Sequence, residues 1–195
     1  MKSPRVVVLG GVNGAGKTTS AFELLVNVLN IPLFTNADAI ARGLNQLNPE
    51  REAFRAGRIM LEWIKHLAEQ RRDFAFETTL AARTYVPWLK EMKSNGYQVL
   101  LYYTWLASPE VAIARVKQRV QSGGHHIQDE DVKRRYGRSV RNFLDLYRTI
   151  SNEWEVVDNT FGDRRLIGIG SGEGCEVESE AIWNAFERSG RDESD

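Results

Sequence analysis

Gly11-Val12-Asn13-Gly14-Ala15-Gly16-Lys17-Thr18 has the residue types and the spacing G-x-x-x-x-G-K-[ST] of a loop that cradles phosphates. Its glycines let the backbone curl so that several N–H groups point inward at phosphate oxygens. A helix beginning at Lys17 would add about half a positive charge at its N-terminus. The contacts expected with a nucleoside triphosphate are therefore Gly11, Asn13, Gly14, Ala15, Gly16, Lys17, Thr18 and Thr19. Lys17 would reach the β- and γ-phosphates, and the Thr18 hydroxyl would sit on Mg²⁺. An Asn-Lys-x-Asp segment that would read guanine is absent from the sequence.

Phosphoryl transfer also needs a base or orienting carboxylate at the acceptor, and cations over the transferring group. Asn36-Ala37-Asp38 and Glu77-Thr78-Thr79 each follow a short apolar run. Asp38 has two readings, an acceptor-site carboxylate and a helix cap, and the first is favoured. Glu77 is read as functional rather than as a structural partner for an arginine. Gly123-Gly124 opens a polar loop to Glu130, with Arg115 and Arg119 before it and Arg134 and Arg135 after it, the arrangement a lid requires. On the helix expected from Glu130 to Ile150, Val132, Tyr136, Val140, Phe143 and Tyr147 form the apolar stripe. Arg134, Arg138, Arg141 and Arg148 lie opposite it. Arg135, Ser139 and Asn142 border the stripe as a polar ridge expected to face a cleft, so Arg135 is favoured over Arg134 as a phosphate ligand. His125 and His126 are read as hinge or surface residues.

The elements that must carry these groups alternate. Val6–Leu9, Leu33-Phe34, Phe74-Ala75-Phe76, Tyr97–Tyr103 and Glu155-Val156-Val157 are expected strands. Helices are expected over Lys17–Asn30, over Glu50–Ala68 with Phe54, Gly57, Leu61, Ile64 and Ala68 as its stripe, and over Val111–Val120 after Pro109. This alternation predicts an α/β fold, a parallel sheet with helices on both faces, whose ligands bind beyond the carboxyl ends of the strands. From Gly162 the pattern changes to a hairpin at Leu166–Ile169 and a packing helix at Glu178–Arg188. Residues 1–160 are thus expected to form the main domain with a lid around 115–138, and 161–195 an extension packed on it with a frayed acidic end. The five tryptophans are expected in the core.

With 195 residues and 42% hydrophobic types, a packed core is available. The 26 basic and 26 acidic residues cancel, which argues against a nucleic-acid or anionic-membrane partner drawn by charge. The single cysteine, Cys175, excludes an intramolecular disulfide and suits a reducing compartment. The start of the chain has no apolar run of signal-peptide or membrane-span length, so a cytoplasmic protein is expected.

Gly11–Thr19, Asn36–Ala41, Phe76-Glu77-Thr78-Thr79-Leu80, Gly123-Gly124-His125 and Arg134-Arg135-Tyr136, in this order, resemble the zeta-toxin family of P-loop kinases. The resemblance spans about Val6 to Asn159 and is nearest to a short bacterial branch described as predicted ATPases. It implies a P-loop kinase-like fold with a five-stranded parallel core. It also implies ATP and Mg²⁺ as cofactors, and transfer of the γ-phosphoryl group to a small-molecule hydroxyl, with UDP-N-acetylglucosamine or a related sugar nucleotide as acceptor. By motif, Asp38 matches the base, Glu77 and Thr79 the sugar-nucleotide side, and Arg119, Arg134 and Arg135 the lid arginines. An antitoxin-like protein is the implied partner. The alternatives are an ATP-binding switch that hydrolyses slowly, and a nucleic-acid-processing kinase.

Overall fold

An apolar run such as Val6–Leu9 can be buried on both sides only in the middle of a covered sheet, and there β1 (Arg5–Gly11) lies, with these four side chains at most 4% exposed. The computed structural model describes residues 3–121, 127–171 and 174–191. Seven strands form one sheet in the order β2-β3-β1-β4-β5-β6-β7. These are β2 (Phe34–Thr35), β3 (Phe74–Thr78), β4 (Gln98–Trp105), β5 (Glu153–Asp158), β6 (Arg165–Ser171) and β7 (Gly174–Val177) around β1. Neighbouring strands from β2 to β5 pair in parallel, as expected, whereas β6 and β7 pair antiparallel. The expected C-terminal hairpin therefore continues the sheet, which raises the strand number from five to seven.

Packing against Trp154 and Trp183 seats this hairpin. A Cβ on Gly170 would come within 2.3 Å of the Trp154 indole, and one on Gly168 within 2.8 Å of Trp183. Two rings, 5.7 Å apart and nearly parallel, thus rest on strand positions that have no side chains. Trp183 and Phe186 come from α8 (Glu180–Ser189) and join the same core as Tyr103, Trp105 and Phe143. The acidic end, 192–195, lies outside the described residues.

Helices cover the two faces unequally. α3 (Ala53–Glu69), α4 (Tyr85–Ser94), α5 (Pro109–Gln121), α6 (Asp129–Asn142) and α8 share one core with Val6, Val8, Phe74, Phe76 and Leu101. On the other face, α1 (Lys17–Phe22) and the wide i→i+5 turns that continue it (Glu23–Val28) pack Ala21 and Leu25 on Val7, Leu9 and Leu100. The first helix is therefore not regular to Asn30 as expected. α6 likewise passes through wide turns at Phe143–Tyr147 into α7 (Arg148–Ile150), and its five stripe residues are all buried. Among the described residues no helix is long and apolar enough to cross a membrane.

Two packing expectations are corrected. In α3 the buried residues are Ala56, Met60, Ile64 and Leu67, while Phe54 is 79% exposed with the Arg58 guanidinium over its ring. Small Ala56 and flexible Met60 fit the close approach of the helix to the sheet, so the true stripe is offset from the one the larger side chains suggested. Trp63 is also exposed and stacks on His66, whereas Trp105, Trp154 and Trp183 are buried.

Candidate functional site

β1 ends in the glycine loop, and Gly14 (φ +74°) and Gly16 (φ +86°) take backbone conformations that L-residues rarely adopt. Gly14 also lies against α5, where a Cβ would come within 2.8 Å of the Ala112 carbonyl and 3.1 Å of Arg115 Cβ. Val12, Ala15, Asn13 and Lys17 of this loop are buried. Thr18 and Thr19 are exposed on the first turn of α1.

Lys17 bends back over its own loop. Its ammonium donates to the carbonyls of Gly11 and Val12, at 3.0 Å each, and lies 3.8 Å from Glu77 Oε1. Burial lowers its pKa below the ordinary 10.5, and Arg119 adds to that, while Glu77 and then Asp38 oppose it. The charge is thus desolvated and held next to carboxylates, a state that an incoming polyanion would favour.

Glu77, at the end of β3, organises the neighbouring polar groups. The Thr18 hydroxyl donates to its Oε2 at 2.6 Å, and Asn36 Nδ2 donates to the same oxygen at 2.8 Å. Asn36 also caps α2 (Ala37–Leu44) by accepting from the amides of Asp38 and Ala39. The helix cap is therefore Asn36, and Asp38 is free of that duty in the first turn. The sequence carries this signal, since an Asn just before a helical run favours the capping position.

Asn13, Lys17, Asp38, Glu77, Thr79, Arg119 and Arg135 line one open cleft of about 440 Å³, whose wall also includes Glu50, Met60, Tyr85 and Asp131. Arg134 does not line it and instead makes an exposed pair with Asp131, which itself lies on the cleft. Arg115 is not on the cleft; it donates to the Thr160 carbonyl. Gly123, Gly124, His125 and His126 lie outside the described residues. A second hollow, about 570 Å³, lies on the sheet face by Tyr102, Glu155, Ile169 and Glu176, and lacks any such meeting of cations and carboxylates.

The polar ridge of α6 behaves differently from expectation. Arg135 faces the cleft, but Ser139 and Asn142 are buried and hold the turn after β3. Ser139 Oγ donates to the Thr79 carbonyl, and Asn142 Nδ2 to the Leu80 carbonyl at 2.8 Å. Tyr147 OH donates to the Ala82 carbonyl at 2.6 Å. The ridge is a clamp because Leu80, with φ +59°, fills the space over Gly10 and turns its neighbours' carbonyls toward α6.

Among the described residues no group of three or more His, Cys, Asp or Glu could enclose a metal ion. The Thr18 hydroxyl and Glu77 carboxylate still suit Mg²⁺, which takes one or two protein oxygens and completes its shell with phosphates and water.

The sequence pattern of one protein family, zeta toxin, matches residues 47–170. An uncharacterized protein of Haemophilus influenzae is 34% identical over 126 residues, 65% of this chain and 88% of that protein. The structure of AvrRxo1-ORF1:AvrRxo1-ORF2 with sulphate ions superposes with a TM-score of 0.75 at 14% identity, covering 99% of this chain. This chain spans 66% of the length of that one. The same pair with ATP gives 0.74 at 14% identity, over 95% of this chain and 64% of that one. The PezAT toxin–antitoxin system of Streptococcus pneumoniae gives 0.66 at 18% identity, over 100% and 81%. At these identities the superpositions establish the fold.

Proposed function

The chain belongs to the zeta toxin family, and from that premise we propose that it transfers the γ-phosphoryl group of ATP to a hydroxyl of a small molecule. One observation carries the reading: Lys17, Asp38, Glu77, Arg119 and Arg135, from five separate elements, line a single cleft beside the glycine loop. Such a set suits phosphoryl transfer, where catalysis is almost wholly positioning and charge stabilisation.

In this reading the loop amides hold the phosphate chain and Lys17 balances its charge. Thr18 and Glu77 would hold Mg²⁺, which would supply charge neutralisation for the phosphate groups. Asp38 accepts the proton of the acceptor hydroxyl as that oxygen attacks the γ-phosphorus and the bond to the ADP oxygen breaks. Arg119 and Arg135 stabilise the charge on the transferring group. Glu77 and Thr79 flank the acceptor, for which UDP-N-acetylglucosamine is the first candidate. An antitoxin-like partner is proposed because solved relatives of the fold come from a toxin–antitoxin system and a two-protein complex.

The test is to incubate the protein with γ-labelled ATP, Mg²⁺ and a panel of hydroxyl compounds that includes UDP-N-acetylglucosamine. Label should appear in one sugar nucleotide and depend on Asp38. Phosphate release that no compound on the panel diverts, and that is unchanged in Asp38→Asn, would overturn the kinase reading in favour of a slow ATPase.

A further inference from the structure

A loop that binds anions through its N–H groups must turn its carbonyls away from the anion, and each carbonyl turned into protein needs a donor. In the glycine loop Lys17 supplies the donor for Gly11 and Val12. The donor for Ala15 comes from 144 residues away: Asn159 Nδ2, at 2.8 Å. Asn159 lies just beyond β5, is 8% exposed, and its Nδ2 stands 3.0 Å from where a Cβ on Gly16 would be.

Its amide has one workable orientation. Exchanging Nδ2 and Oδ1 would set two oxygens against each other, so the NH₂ must face Ala15, and Oδ1 is left buried without a hydrogen-bond partner among the described residues. The turn that carries it is fixed from several directions. Asn159 N donates to the Trp105 carbonyl at 3.0 Å, Thr160 Oγ1 accepts from Ala107 N at 2.8 Å, and the Thr160 carbonyl accepts from Arg115 at 3.0 Å. Arg115 and Ala112 come from α5, which also packs on Gly14. The phosphate loop is thus braced from behind by one buried side chain on a rigid turn.

We infer that Asn159 is a positioning residue for the nucleotide, holding the Ala15 carbonyl outward so that the loop amides are aimed at phosphate before it arrives. The inference rests on the proposed nucleotide site and deepens it. Asn159 itself touches no reacting atom. Its contribution is preorganisation, which lowers the cost of binding.

The test is calorimetric titration of MgATP and MgADP into the full chain and its Asn159→Ala and Asn159→Asp variants, with steady-state kinetics alongside. Each variant should weaken both nucleotides about tenfold, as loss of one buried donor predicts. Asn159→Asp, of nearly equal shape, should be weaker still at low salt, because its carboxylate faces the Ala15 carbonyl and adds negative charge behind the loop. KM for ATP should rise about tenfold while kcat changes less than about threefold. A residue needed only for folding would instead lower the active fraction and leave KM unchanged. Nucleotide affinities within about twofold of wild type in a folded variant, or a fall in kcat at unchanged KM, would overturn the inference. If Asn159→Ala does not fold, Asn159→Asp decides alone; if neither folds, the residue is structural and the inference fails. Failure of the wild-type chain to bind MgATP would show, before any variant is made, that the nucleotide reading itself is wrong.

Discussion

The two sides of the cleft are built differently. On the phosphate side Val12, Ala15, Asn13 and Lys17 are buried, and the carbonyls of Gly11, Val12 and Ala15 each have a buried donor. On the proposed acceptor side Asp38 is exposed near the start of α2, Arg135 is half-buried, and the segment between α5 and α6 contains residues outside those described. The turn after β3 is held there by Ser139, Asn142 and Tyr147, and Asn36 caps the start of α2. The difference is physically reasonable: a triphosphate is common to many enzymes and rewards a rigid cradle, whereas an acceptor must enter, be discriminated and leave.

The comparison predicts that damage to the two sides separates into different kinetic constants. The largest effect on turnover should come from Asp38→Asn, which removes the proposed base without touching the loop. Turnover should fall about 10²–10⁴-fold while MgATP affinity stays nearly unchanged. Single-turnover kinetics together with calorimetry would show this, and a parallel loss of ATP binding would break the division. Glu77→Gln sits on the boundary, because Glu77 bonds Thr18 and lies 3.8 Å from Lys17. It should lower turnover about 10²-fold and raise the Mg²⁺ concentration needed for half-maximal rate. Arg135→Ala should cost about tenfold in rate, and Arg134→Ala much less, since Arg134 does not line the cleft and reaches it only through an exposed pair with Asp131.

The smallest effect is one of pH, and its two readouts should have opposite signs. Because Lys17 is held below 10.5 by burial, there is a window under that value where the folded chain has released a proton that the unfolded chain retains. Stability of the nucleotide-free protein should therefore rise with pH across the window. Affinity for MgATP should fall across the same window as the ammonium is lost. Denaturant melts and titrations between neutral pH and pH 10.5 check both signs.

The same division explains what the sequence made legible. The glycine loop is local, with its glycines, lysine and threonine adjacent in the chain, so its pattern alone specified the turn and the helix after it. The five parallel strands were legible because a strand buried on both faces is a short apolar run. Arg135 could be set apart from Arg134 by helical phase alone. The brace from Asn159 could not be found this way, because a single asparagine after a strand carries no sign of a partner 144 residues back. The buried roles of Ser139 and Asn142 were not legible for a related reason. A polar ridge beside a stripe can face a cleft or a buried loop, and here the left-handed turn at Leu80 decided the matter. The stripe of α3 was set by packing against the sheet, where Ala56 and Met60 count for more than the large but exposed Phe54.

Titration of Mg²⁺ with ATP into the wild-type chain and into Lys17→Ala, in the absence of any acceptor, tests the central claim most directly. The account predicts saturable binding by the wild type and an affinity lower by about 10²-fold or more in Lys17→Ala, whose loop has lost its buried cation. No binding by the wild type, or equal binding by both proteins, would contradict it.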